Sequence, residues 1–187
     1  LLCSIHLYTN AQSGYLDLTF NEDGIYSADF GTNGFDILYD AVLQQDGKIL
    51  ATGISNNDFA VLRLLTDGTP DPSFGNNGVA RHDYNGTSDR SHAIVVQPDG
   101  RIVVTGQIQI NNQADFAVLR LHPDGTIDST FGTNGWTVTD LGTTYEFPNC
   151  AALQADGKII AAGRKADVFQ SDFTMVRYHT DGRVDSL

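Results

Sequence analysis

Residues 58–78 read DFAVLRLLTDGTPDPSFGNNG, residues 115–135 read DFAVLRLHPDGTIDSTFGTNG, and a third copy, DFTMVRYHTDGRVDSL, runs from Asp172 to Leu187. The leading acids Asp58, Asp115 and Asp172 are spaced by 57 residues, as are the turn acids Asp67, Asp124 and Asp181. A fixed period of this size marks a repeat architecture and outranks any local reading. Upstream of each copy lie QQDGKILATG, QPDGRIVVTG and QADGKIIAAG, starting at Gln44, Gln97 and Gln154. An Asx-Gly pair between two apolar runs signals a β-hairpin. The runs on either side of it are apolar almost throughout, as in strands covered on both faces.

Each unit reads as four short strands, the first being the stretch after the Phe-Gly motif, such as GWTVTDL from Gly135. Four-stranded sheets repeated at a fixed period describe propeller blades; the coils of a β-solenoid are much shorter. The expected fold is all-β: a partial β-propeller of about three four-stranded antiparallel blades in an open arc. The blades are placed at approximately 20–73, 74–130 and 131–187. The C-terminal Asp185-Ser186-Leu187 aligns with Asp128-Ser129-Thr130 and stops one residue before the next Phe, so repeats are expected to continue beyond it.

Composition agrees. The chain has 21 Asp but 2 Glu, with 12 Asn and 19 Gly, a turn-rich balance unsuited to helices. The net charge of −12, without a basic stripe, excludes a phosphate-backbone partner, so no nucleic-acid binding is expected. No apolar run reaches the ~18 residues of a membrane span. The uncharged residues 1–12, LLCSIHLYTNAQ, read as the remnant of a signal peptide cleaved after Ala11, leaving 13–187 as the repeat region. Secretion or display at the cell surface follows as an expectation. Cys3 falls in that remnant, which leaves Cys150 alone and excludes a disulfide framework.

The motif D-x-x-F-G-x-x-G (Asp71, Phe74, Gly75, Gly78; Asp128, Phe131, Gly132, Gly135), together with Q-P-D-G-R, resembles the delta-sixty repeat. That family is regarded as a β-propeller repeat of bacterial secreted and surface proteins without a general biochemical activity. The resemblance implies the fold, the compartment and further repeats in the same chain. It implies no catalytic residue.

The recurring residues read as structural. Phe20, Phe74 and Phe131 stand where one blade hands over to the next, as aromatic wedges. Gly53, Gly106 and Gly163 end a strand, where a bulge or a positive φ is expected. Arg63, Arg120 and Arg177 recur in every unit, which points to an ion pair or a strand-end hydrogen bond. Asp67 with Asp71, and Asp124 with Asp128, make a D-G-x-x-D spacing that offers oxygen ligands to calcium. It lacks the third acid and the terminal Glu of an EF-hand, and turn formation explains it, so no metal or cofactor is expected.

Residues that break the repeat are the better functional candidates. From Gly53 to Asp58 is five residues, whereas Gly106 to Asp115 and Gly163 to Asp172 are nine each, so a longer loop is expected there. In the third unit it carries Arg164, Lys165 and Phe169, two cations and an aromatic suited to an anionic ligand. Trp136, Tyr145, Glu146 and Phe147 form the other non-repeated aromatic group, with core packing the stronger role for Trp136. No nucleophile-elbow, zinc-protease or phosphate-loop motif occurs. The expected function is a non-catalytic extracellular scaffold or binding module for a glycan or protein. The alternative is a propeller enzyme, a hydrolase or lyase of extracellular glycans.

Overall fold

A computed structural model describes residues 15–30 and 35–186. The signal-peptide reading of residues 1–12 lies outside the described residues. Among the described residues eleven strands follow in chain order: β1 (Asp36–Leu43), β2 (Ile49–Ser55), β3 (Asp58–Leu64), β4 (Val79–His82), β5 (Asp89–Val96), β6 (Ile102–Ile110), β7 (Gln113–Leu121), β8 (Trp136–Thr139), β9 (Tyr145–Leu153), β10 (Ile159–Ala166) and β11 (Ser171–Tyr178). Among the described residues there is no helix. Strands pair antiparallel with their chain neighbours, giving sheets β1–β4, β5–β8 and β9–β11. A single parallel bridge, Ala114 to Tyr145, ties the second sheet to the third. This is the expected partial propeller.

Each Asp-Gly turn closes its hairpin in the same way. The Gln44 N–H donates to the Lys48 carbonyl (2.8 Å) and the Gly47 N–H to the Gln44 carbonyl (3.0 Å). The β2–β3 and β6–β7 hairpins turn on Asn56-Asn57 and Asn111-Asn112, all four with φ between 51° and 68°. Asn tolerates this left-handed region, and two such residues make the turn whose twist suits a hairpin.

The strand after each Phe-Gly motif differs from expectation. β4 pairs with β3 and β8 with β7, so each closes the sheet before it instead of opening the next. The cause is the fold of the D-x-x-F loop. Asp71 N–H donates to the Arg63 carbonyl (3.0 Å) and Arg63 N–H to the Gly78 carbonyl (2.7 Å), which returns the chain alongside the strand it has just left. The four extra residues of the second unit likewise form no longer loop. They extend β6 and β7 into a taller hairpin around the same two-residue turn. In the third unit β10 and β11 are joined by residues 167–170.

The glycines meet half of the expectation. The strands opposite Gly53, Gly106 and Gly163 each carry a bulge, at Tyr39, His92 and Asn149. The glycines themselves lack a positive φ. They are required because a Cβ there would strike the carbonyl oxygen of Ile37, Arg90 or Phe147.

Side chains of alternate parity on each sheet then fill two cores. Phe59 and Val61 of β3 meet Ala117, Leu119 and Leu121 of β7, with Trp136 and Ile102. Phe116 and Val118 of β7 meet Val176 and Tyr178 of β11, with Ile159 and Ala161. The other face of the first sheet (Ala51, Leu62, Leu64) is covered by Phe20, Tyr26 and Phe30. The opposite, outward face of the third sheet is open: Phe173 and Met175, in register with Phe59 and Val61, are exposed.

Candidate functional site

The repeated charges pair within their own units, and two of the guanidiniums also reach the next sheet. Arg63 Nε lies 2.9 Å from Asp71, whose carboxylate also meets Lys48 at 3.2 Å. Asp128 is held in the same way by Arg120 (2.8 Å) and Arg101 (2.9 Å), and Asp185 by Arg177 (2.6 Å) and Lys158 (3.1 Å). The partner of each strand Arg is thus the Asp of the D-x-x-F motif, not the Asp that leads the strand. Arg120 also donates to the Thr180 carbonyl (2.6 Å), and Arg63 to that of Pro123, so one guanidinium binds the turn of the following sheet. Burial opposes the charged form of Asp128. The Thr130 hydroxyl and N–H and the Arg120 guanidinium outweigh it and hold its pKa down to about 2. Asp71 is lowered further on the same pattern.

The wedge follows the same geometry. Phe74 and Phe131 are fully buried, with the Arg63 and Arg120 guanidinium carbons 4.6 and 4.7 Å from their ring centres. Each ring lies under the Asp-Gly turn of the next sheet. A Cβ on Gly125 would sit 2.9 Å from the Phe74 ring, and one on Gly182 at 2.9 Å from Phe131. Phe20 occupies the matching place under Gly68.

The D-G-x-x-D acids are committed within this framework. Asp67 accepts from the Thr69 N–H and hydroxyl, and Asp124 from those of Thr126, in the local turns that Asp favours. Asp71 and Asp128 carry their two cations.

Arg81, Arg90, Arg164 and Lys165 stand apart: among the described residues none of them is in an ion pair. Arg90 lines a groove of about 240 Å3 between the second and third sheets, at the start of their inner strands, and Arg164 stacks on one of its walls. Its walls are Arg90, Gln107, Gln109, Tyr145 and Phe147, with Ser88 and Ala114. The extended β6 hairpin brings in the two Gln side chains. Tyr145 is 46% exposed and its ring lies parallel to that of Phe147, centres 6.3 Å apart and 6° between planes. The Arg164 guanidinium stands 4.8 Å over the Phe147 ring.

Of the residues singled out from the sequence, Tyr145 and Arg164 therefore meet at this groove through Phe147. Lys165 is next to Arg164 but on the opposite face of β10, since alternate residues of a strand point apart. Phe169 is 95% exposed in the β10–β11 connection. Trp136 is in the core, edge-on to Phe59 (5.1 Å) and Tyr84 (5.4 Å). The period missed Arg90, Gln107 and Gln109; their signal was polar residues on β5 and β6 where the first unit has Ile37 and Ile54.

A second feature escaped the sequence reading. The acids Asp58, Asp83 and Asp89 at the first junction recur as Asp115, Asp140 and Glu146 at the second. Asp89 folds the incoming loop, accepting from Tyr84 N–H (2.7 Å) and the Thr87 hydroxyl (2.6 Å). Burial, and then the charges of Asp83 and Asp58, push its pKa up to about 6 against those hydrogen bonds.

A family model described as a domain of unknown function (DUF5122) beta-propeller matches residues 44–74, 97–131 and 154–187, together more than half of the chain. A search of curated proteins found no match to the chain.

Proposed function

This chain belongs to the DUF5122 β-propeller family, and from that premise we propose that it is a non-catalytic scaffold and binding module of the delta-sixty repeat type, working outside the cell. The uncharged leader-like stretch at residues 1–12 supports the compartment. The observation that carries the binding role is the cation–aromatic groove. The recurring cations Arg63, Arg120 and Arg177 are neutralised within their own units, whereas among the described residues Arg90 and Arg164 form no ion pair and stand beside Tyr145, Phe147, Gln107 and Gln109.

The chemistry of that set suits a sugar bearing a carboxylate. A guanidinium offers a planar fork to a carboxylate, amides serve hydroxyls, and an exposed aromatic face packs on the C–H face of a ring. A chain of net charge −12 repels long polyanions, so the groove fits a glycan end or a peptide segment with one carboxylate. The enzyme reading needs a carboxyl pair open to substrate. At the second junction Asp115 and Glu146 are 5% and 0% exposed, which favours binding over hydrolysis.

Titration with a short galacturonate oligosaccharide and its neutral galactose counterpart tests the proposal. The acidic sugar should bind more tightly, and Arg164→Ala or Tyr145→Ala should weaken it about ten-fold, a loss of ~1.4 kcal/mol. Equal, unsaturable responses to both sugars would reject the groove as the site.

A further inference from the structure

Three carboxylates meet where the second sheet hands over to the third. Asp115 lies in β7, Asp140 follows β8 and Glu146 lies in β9, and one oxygen of each comes within 4.8 Å of the others. Asp115 and Glu146 are buried, while Asp140 opens to the surface. Glu146 Oε1 is saturated, accepting from Leu141 N–H (2.8 Å), Thr143 N–H (3.2 Å) and the Thr143 hydroxyl (3.1 Å). Glu146 Oε2 and Asp115 Oδ1 are equally buried and have no hydrogen-bond partner. Lys165 is opposite Glu146 in the ladder, yet among the described residues no cation pairs with any of the three acids.

Orphaned carboxylate oxygens beside like charges are costly unless a cation or a proton neutralises them. We propose that Asp115, Asp140 and Glu146 hold one divalent metal cation of the hard, oxygen-preferring class to which calcium belongs. The donors are all oxygen, without imidazole or thiolate, which selects against the softer transition metals. The open Asp140 side leaves room for the water ligands that complete a calcium shell. This site is separate from the D-G-x-x-D turns and from the groove, and it reverses the expectation of a metal-free chain.

The first junction is a built-in control. There Asp89, one methylene shorter than Glu146, has partners on both oxygens, one of them Thr87. Its counterpart Thr144 has turned to Asp167 instead (3.1 Å from its N–H), which leaves Glu146 Oε2 free. One site per chain is therefore expected, not two.

Calcium titration of the full chain by calorimetry, after stripping with EDTA, tests this. One saturable site is expected, with a dissociation constant of about 10⁻⁴ to 10⁻³ M, the range of extracellular calcium modules. Glu146→Gln, which keeps an acceptor for the loop N–H groups, and Asp115→Asn should each weaken it at least about ten-fold. Asp89→Asn should leave it unchanged. If either buried variant fails to fold by circular dichroism, the exposed Asp140→Asn provides the same readout. A folded wild-type chain that takes up no calcium at about 10 mM, or uptake that survives substitution of these acids, overturns the proposal.

Discussion

Truncating Phe74 to Ala should uncouple the first sheet from the second. The ring is fully buried, capped by the Arg63 guanidinium at 4.6 Å and covered by the turn at Gly125. Deleting a buried Phe costs about 3–5 kcal/mol, through lost transfer energy and the cavity left behind. In a chain of this size each kcal/mol lowers Tm by roughly 2–4 °C, so a loss near 4 kcal/mol lowers it by about 8–16 °C. A second substitution sharpens the test. Gly125→Ala places a methyl 2.9 Å from the ring and puts Ala at φ +88°, adding a clash to a backbone strain. In the Phe74→Ala background the clash with the ring disappears, while the strain and a 3.1 Å approach to the Ala80 Cβ remain, so Gly125→Ala should cost at least ~0.5 kcal/mol less there. Urea denaturation of the two single variants and the double variant, followed by circular dichroism, measures the coupling. A Phe74→Ala cost below about 1 kcal/mol, or an identical Gly125→Ala cost in both backgrounds, refutes the wedge.

Arg120→Met leaves Asp128 short of a buried partner and removes the bond to Thr180, so a loss of about 3 kcal/mol is expected in chemical denaturation. Arg120→Lys should not restore it, because one ammonium cannot reach both sites. Asp89 gives a pH dependence. Its folded pKa of about 6 lies above its unfolded value, so the native state binds the extra proton and stability falls as pH rises from about 4 to 6. Asp71 and Asp128 are shifted down, so their contribution is present above about pH 4 and is lost as pH falls through their folded values. A Tm maximum between these limits is expected, with the upper slope flattened in Asp89→Asn. Finally, Phe173→Ser with Met175→Thr should reduce self-association in sedimentation velocity, since the wild-type residues present the open apolar face of the third sheet.

The period of 57 made the number of sheets, the hairpins and the Phe wedge legible, because each depends on residues that recur. It could not give the phase. A repeat looks the same wherever it is cut, and only the hydrogen bonds of the D-x-x-F loop show that β4 and β8 close the preceding sheets. The Arg partner was hidden for a related reason. Asp58 is the nearer acid in sequence, but a strand sends residues five apart to opposite faces, while the loop returns Asp71 to Arg63. Of the candidate binding residues, Arg164 and Tyr145 converge because β9 and β10 are paired neighbours. Trp136 was legible as core from Val79 in the preceding unit. The acid cluster was present in the sequence as acids recurring at matching positions, yet its members come from three strands or their ends and only packing assembles them.

The central claim is that successive repeats are sheets stacked so that the Phe of one lies beneath the Asp-Gly turn of the next. Nuclear Overhauser contacts and ring-current shifts test it directly. The account predicts that the α protons of Gly68, Gly125 and Gly182 are shifted upfield and show contacts to the rings of Phe20, Phe74 and Phe131, in that pairing. Glycine α protons at random-coil positions, or rings that contact only their own repeat, would contradict it.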